Sequence, residues 1–376
     1  MRAHLRVLIL FGLVAGSCAT PTATGSPSPT ATSTPASAAT TSSAVPTVAS
    51  TPSPASAGRP GIISRIGDQP IVVRAETDAT PIRTVPSFQF TTDGSRVTYW
   101  SVSAGVAQLH VMELTGGSDR IVATFPDRRP GGIAWSTDGT GLLVSVDDSA
   151  DPRYQIARVM LAVDVASGAT REIYRGIGPS GASVVPLVWR RSPEIFAAYE
   201  TGPGGYSFGY TVIRPGQSPI RTDPDTSVVG MTASGDGALV SGVWLFEGGG
   251  VIKVWPADDF SKKTELKMSP GERVGQQYWW PGRTEIAYLV WRQADGMSRD
   301  RRIERWDPAS GARVVLARLA DAVQPGAFLV RADGSGVLTQ GPYPPGGWEV
   351  RDFTSGTTTQ VPQMQGENIL RTVLLR

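Results

Sequence analysis

The chain has 376 residues with 35 Lys or Arg against 33 Asp or Glu, two His and one Cys. A formal net charge of +2 supplies no basic face for nucleic acid. The His count excludes histidine-rich zinc or copper sites.

The chain opens with Met1-Arg2-Ala3-His4-Leu5-Arg6, an apolar run from Val7 to Ala15, and then Gly16-Ser17-Cys18. A basic start, a short apolar core and small residues before a cleavage point make a secretory signal over 1–17, too short to span a bilayer. The single thiol resembles the lipobox cysteine of bacterial lipoproteins, with Ala15 standing where that family usually has leucine. The resemblance implies that Cys18 is acylated and becomes the mature N-terminus, anchoring the protein to a membrane of the cell envelope. Ordinary cleavage after Ala19, giving a freely secreted protein, is the alternative. Removal of Arg2 and Arg6 takes the basic count from 35 to 33, equal to the acidic count, and removes His4 as well.

Residues 18–58 form a tether. Ala19 to Gly58 holds no charged or aromatic residue and is almost wholly Ser, Thr, Pro and Ala. Such a stretch cannot bury enough apolar surface to offset its ordering entropy, so disorder is expected. Its roughly 40 residues reach on the order of 100 Å where polyproline geometry holds. Glycosylation of the hydroxyls is left open.

From Arg59 the composition becomes globular and reads as strands, so residues 59–376 form one all-β domain. Ile62 to Ile66, Ile71 to Ala75 and Ile82 to Val85 are three strands. A unit of short apolar strand plus tight turn then recurs at a spacing of roughly 44 to 54 residues. Its copies are Phe88-Gln89-Phe90-Thr91-Thr92-Asp93-Gly94, Ile133-Ala134-Trp135-Ser136-Thr137-Asp138-Gly139 and Phe328-Leu329-Val330-Arg331-Ala332-Asp333-Gly334. Weaker copies begin at Leu187, Met231 and Tyr278. Each copy continues into a second strand, a third ending in a glycine turn such as Asp164-Val165-Ala166-Ser167-Gly168 or Asp307-Pro308-Ala309-Ser310-Gly311, and a fourth. Repeated four-stranded units predict a β-propeller, because radial repetition protects sheet edges. Six turn anchors give six blades. The three strands before them and Ile369 to Leu374 after them predict a composite seventh, so seven blades are favoured over six.

The pattern resembles the TolB-type, WD40-like propeller repeat, with Trp135-Ser136-Thr137-Asp138-Gly139 the nearest copy and Thr137 in place of its proline. The resemblance implies the fold and little about activity, since propellers host many functions. The amino-terminal domain of TolB has no counterpart here, so the role of TolB in the envelope is not carried over.

Chemistry is constrained by what is scarce. A Ser-His-Asp site would have to use His110, which otherwise reads as a packed strand residue. Gly205-Tyr206-Ser207-Phe208-Gly209 matches a nucleophile elbow in letters, but no helix follows it. Asp147, Asp148 and Asp151 could gather a hard cation, yet Pro152 follows and the spacing is not that of an EF-hand, so a solvated hairpin is expected and no metal. Sialidase-type boxes and the tryptophans of quinoprotein hairpins are missing, so no cofactor is expected. Trp135, Trp189 and Trp280 share one repeat position and should pack neighbouring blades together. The four lysines, Lys253 to Lys267, read as a guarded strand edge.

In an up-and-down blade the short Asp-Gly and Ser-Gly turns share one face. The second-to-third and blade-to-blade connections share the other, and here they read as long loops: Pro126 to Pro130, Asp147 to Tyr154, Glu200 to Phe208, Trp291 to Arg302 and Gly341 to Trp348. Loops of this kind on a rigid scaffold carry binding. The candidate face comprises Asp127, Arg128, Arg129, Asp147, Asp151, Tyr154, Tyr206, Trp291, Arg292, Arg301 and Tyr343. The expected function is a membrane-tethered, monomeric binding or scaffold module for a protein, peptide or glycan. The alternative is a carbohydrate-active enzyme using Asp127, Asp147 or Glu200, which would require two carboxylates converging at roughly 5 to 10 Å.

Overall fold

The computed structural model describes residues 59–66, 71–79, 81–85, 89–90, 95–113, 118–151, 155–178, 183–201, 207–222, 228–246, 249–322, 326–341, 347–363 and 367–375. The signal, Cys18, the tether, Tyr154, Tyr206 and Tyr343 lie outside the described residues. Every regular element described is a strand. The closing blade contains β1 (Arg59–Ile66), β2 (Ile71–Ala75) and β3 (Pro81–Val85). Blade 1 is β4 (Gln89–Phe90), β5 (Arg96–Ser103), β6 (Val106–Glu113) and β7 (Asp119–Pro126). Blade 2 is β8 (Arg128–Trp135), β9 (Gly141–Asp151), β10 (Gln155–Asp164) and β11 (Thr170–Gly178). Blade 3 is β12 (Ser183–Arg191), β13 (Glu194–Thr201), β14 (Ser207–Ile213) and β15 (Ile220–Thr222). Blade 4 is β16 (Val228–Ala233), β17 (Leu239–Phe246), β18 (Gly249–Pro256) and β19 (Thr264–Lys267). Blade 5 is β20 (Glu272–Trp279), β21 (Ile286–Ala294), β22 (Met297–Trp306) and β23 (Arg313–Arg318). Blade 6 is β24 (Phe328–Val330), β25 (Gly336–Gln340), β26 (Trp348–Asp352) and β27 (Thr358–Gln360), and β28 (Glu367–Leu375) ends the domain.

These strands form seven four-stranded antiparallel sheets, and β28 completes the closing blade in the order β28-β1-β2-β3. The domain is the seven-bladed propeller with a composite blade that the repeat and its flanking strands predict.

The turns explain the repeat. In Ser136-Thr137-Asp138-Gly139, Ser136 Oγ donates to Asp138 Oδ1 at 2.6 Å and accepts from Gly141 N at 2.8 Å, while Thr140 N donates to the same carboxylate at 3.0 Å. Gly139 takes φ 69°, where a Cβ would be strained. Ser234 and Asp236 repeat the arrangement, with 2.6 Å between Oγ and Oδ1. The Ser-x-Asp-Gly letters therefore encode a self-bonded turn, not a ligand site. On the third-to-fourth turns, Asp164, Asp307 and Asp352 accept from the N–H or hydroxyl groups of the Ser residues that follow, which holds each carboxyl below its usual pKa.

The core is a series of slabs between consecutive blades. On β9, Leu142, Val144 and Val146 pack with Leu109, Val111 and Phe125 of blade 1, whereas Leu143 packs with Trp189 and Phe196 of blade 3. A strand buried on both faces reads as a continuous apolar run, as Leu142-Leu143-Val144 does before Ser145. The tryptophans fill the places between blades. Trp189 and Trp280 are buried, Trp135 is half-buried, and each carries an arginine across its ring: Arg191, Arg305 and Arg96 respectively. Lys253 departs from the expected guarded edge: it is 2% exposed, with its ammonium 4.4 Å from the Trp244 ring centroid. A single strand period turns its stem inward while Lys262 and Lys263 stay on the surface, paired with Asp259 and Glu265.

Arginines stitch the short-turn ends of neighbouring blades. Arg96 donates to Gly139 O at 2.6 Å, Arg191 lies 3.4 Å from Asp138, Arg190 lies 3.5 Å from Asp258, and Arg331 reaches Glu76 at 3.3 Å. The first strands of successive blades contact one another, so they form the inner ring. Five of them carry a bulge against their second strand, at Gly131-Gly132, Leu187, Gly230-Met231, Gly275-Gln276 and Leu370. The bulge bends each inner strand and removes a flat edge. Side chains then take up inner-ring carbonyls, as where Gln277 Nε2 donates to Gly230 O at 3.3 Å and Trp279 Nε1 to Thr232 O at 3.2 Å.

Candidate binding face

At the end of the blades opposite the short turns, three connections expected to be long loops are largely strand among the described residues, while 202–206 and 342–346 lie outside them. Pro126 to Pro130 shrinks to Asp127, exposed at φ 54° between β7 and β8. Trp291 to Arg302 is a hairpin turned by Asp295 and Gly296, at φ 51° and 73°. The misreading has a physical cause: the hairpin is held by backbone pairing across polar partners, Arg292 with Arg299 and Gln293 with Ser298, so it carries no apolar alternation. Asp147 and Asp151 lie on β9, Asp151 paired through its backbone with Gln155.

The register of blade 2 gathers several of the expected residues. Arg128 stands opposite Asp148 and Arg129 opposite Asp147, with Arg158 on the far side of Asp147. Arg175 Nη1 lies 3.1 Å from Asp148, and Arg128 and Arg158 lie 3.9 Å from Asp148 and Asp147. Partial burial raises the Asp147 pKa, while Arg158 and Arg129 oppose the shift. Asp147 and Asp148, two of the carboxylates considered for a cation, therefore face guanidinium groups, and among the described residues no group of three or more His, Cys, Asp or Glu could hold a metal ion.

Blade 5 carries the second cluster. Arg292 is exposed and 3.8 Å from Glu272, and Arg299 lies 3.3 Å from Asp295. Two expected residues turn inward instead. Arg301 is 2% exposed, donates to Ala320 O at 2.6 Å and has its pKa lowered by burial. Trp291 packs over Gly275, where a Cβ would come within 2.9 Å of its ring. Beneath the hairpin, sequence reading missed a buried network. Arg302 bonds Glu272 at 2.5 Å and Glu304 at 2.6 Å, and Glu304 also accepts from Tyr288 at 2.6 Å and Arg313 at 2.5 Å. Alternation of Arg302, Glu304 and Trp306 on one strand face was its available signal.

The enzyme residues do not assemble in the same way. Glu200 is held at 2.9 Å by Arg221 on β15, the outermost strand of blade 3, and Asp147 belongs to the arginine cluster of blade 2. Ser207 opens β14, so no elbow forms there.

No protein-family model and no curated protein matches the chain. Solved structures do. Oligogalacturonate lyase from Vibrio parahaemolyticus aligns with a TM-score of 0.54 at 12% identity, over 81% of this chain and 86% of that one. The β-propeller domain of the trilobed protease from Pyrococcus furiosus aligns at 0.52 with 13% identity, over 81% and 94%. TolB from Acinetobacter baumannii aligns at 0.44 with 14% identity, over 68% and 62%. At these identities the first two likenesses establish fold and leave activity open. The domain is a seven-bladed β-propeller closed by its own two ends.

Proposed function

We propose that the protein is a lipid-anchored, extracytoplasmic binding module that recognises a protein, peptide or glycan through the face carrying the blade 2 and blade 5 clusters. The observation that carries this reading is the pair of exposed arginine-rich surfaces, Arg128, Arg129 and Arg175 on one blade and Arg292 and Arg299 on another, mounted on rigid strands. Charges held this way give orientation and selectivity to a docking partner. The Cys18 lipid and the uncharged tether would hold that face clear of the membrane.

The carbohydrate-active alternative has the weaker support. Two of its carboxylates, Asp147 and Glu200, are engaged by arginine, and the likeness to oligogalacturonate lyase is one of fold.

Two measurements test the proposal. Labelling of the full chain with an alkynyl fatty acid should mark Cys18 and move the protein into the detergent phase, and Cys18→Ser should abolish both. Cross-linking of the full chain in cells should trap a partner that Arg128→Glu/Arg129→Glu or Arg292→Glu/Arg299→Glu loses by roughly 10-fold or more, with unchanged melting. A partner retained by both double variants would remove this face from consideration.

A further inference from the structure

Blade 1 brings together three groups that lie apart on three strands. Ser101 on β5, His110 on β6 and Asp119 on β7 meet on one face of the sheet. His110 Nε2 is 2.9 Å from Ser101 Oγ, and His110 Nδ1 is 3.3 Å from Asp119 Oδ1. The register explains the meeting: Tyr99, His110 and Ile121 stand in one cross-strand row, with Ser101 opposite Gln108 beside it. Ala107, Leu109 and Val111 point the other way, into the slab shared with blade 2.

The row is ordered as an acyl-transfer site requires. Tyr99 donates its hydroxyl to Asp119 Oδ2, leaving Oδ1 for the imidazole. Burial foremost, with Asp119 adding to it, raises the Tyr99 pKa, so the phenol stays a donor. Tyr99 also stacks on the His110 ring, with centroids 4.7 Å apart and planes at 14°. The carboxylate thus selects the tautomer with a proton on Nδ1, and Nε2 is left to accept from Ser101. Ser101 Oγ lies 3.4 Å from the Gln108 side-chain amide oxygen. A flip of that amide presents an N–H at the position of a developing oxyanion. The His110 side chain is 15% exposed and that of Asp119 35%, and Ile121, 48% exposed, offers apolar surface beside them. The site is open and shallow, which fits a small substrate.

We infer that Ser101, His110 and Asp119 form a hydrolytic site on the propeller, with Ser101 as nucleophile and small O-acyl esters as the substrate class. Ser101 Oγ attacks the ester carbonyl carbon as its proton passes to His110 Nε2. The bond to the leaving alcohol breaks as the imidazolium returns that proton to the departing oxygen. Water, deprotonated by the same imidazole, then attacks the acyl-serine, releasing the carboxylic acid and restoring the Ser101 hydroxyl. Asp119 is a positioning residue that holds the imidazole and stabilises its charged form. This activity is independent of the binding reading, and either can fail alone.

The test treats the full chain with a fluorophosphonate probe, maps the adduct by peptide mass spectrometry, and follows p-nitrophenyl acetate hydrolysis in parallel. Modification is expected at Ser101, absent in Ser101→Ala, unchanged at that site in Ser103→Ala, and slowed about 100-fold in His110→Ala and Asp119→Asn. Because His110 packs on Tyr99, His110→Gln serves as the second variant, filling the space without supplying a base, with circular dichroism checking the fold of each. No adduct at Ser101, or one formed equally fast in folded His110→Gln and Asp119→Asn, would overturn the assignment and leave the row as a structural network.

Discussion

At the residue scale, charge is decided by which neighbours strand pairing supplies. Burial alone would raise the Glu304 pKa, but hydrogen bonds from Tyr288, Arg313 and Arg302 win and hold it below the usual carboxylate value. Glu304 therefore adds stability that is present above the unfolded carboxylate pKa and is lost as pH falls through the depressed folded value. Glu304→Gln leaves buried Arg302 with Glu272 and Asp300 but without the Glu304 carboxylate, and should cost about 3 kcal/mol at neutral pH. In urea titrations the gap between wild type and variant should narrow in acid; a gap independent of pH would refute the assigned sign. Glu76 behaves oppositely. Burial raises its pKa despite Arg331, so its ionisation opposes folding above that pKa, and Glu76→Gln should lose little at neutral pH. Sequence could name Arg292 and Arg301 as equals. Only the fold makes the first a surface group and the second an interior one, the two lying on either side of a register shift in the hairpin.

At the scale of elements, turns were the most legible feature, because Ser, Asp and Gly at fixed offsets encode their own hydrogen bonds. Gly168 and Gly311 occupy the same turn in different blades, at φ 73° and 75°. A Cβ on Gly311 meets open space, whereas one on Gly168 would lie 2.5 Å from Val122 O of blade 1. Gly311→Ala should cost about 1 kcal/mol from backbone strain. Gly168→Ala should cost roughly 1–3 kcal/mol more, because it also forces two blades apart. Thermal melts of the two variants side by side decide the matter; equal losses would mean that the turn does not transmit to its neighbour. The Asp295-Gly296 hairpin was illegible for the converse reason. Its strands pair beyond the packed slabs, so burial never imprinted a period on them.

At the scale of the whole molecule, a buried ion pair reinforces the closing blade in which β28 pairs with β1. Arg74 Nε and Nη2 bond both oxygens of Glu367 at 2.8 and 2.7 Å, linking β2 to β28, and both side chains are 0% exposed. Ser64 on the intervening β1 donates to the same carboxylate, and Arg74 also caps Asp78 O and Pro362 O at 2.9 and 2.7 Å. Arg74→Ala should cost about 3–5 kcal/mol by stranding Glu367. Hydrogen exchange in that variant should rise first in β28 and β1, and uniform exchange around the ring would contradict a clasp. The sequence by itself determined the repeat, the composite blade and the tryptophan positions, since each is written in local turn chemistry and alternation. Tertiary structure alone decided that Arg74 pairs with Glu367, that Arg301 is interior, and that Ser101, His110 and Asp119 meet. Those contacts depend on register between strands, which one residue of slip would reverse and which no local pattern records.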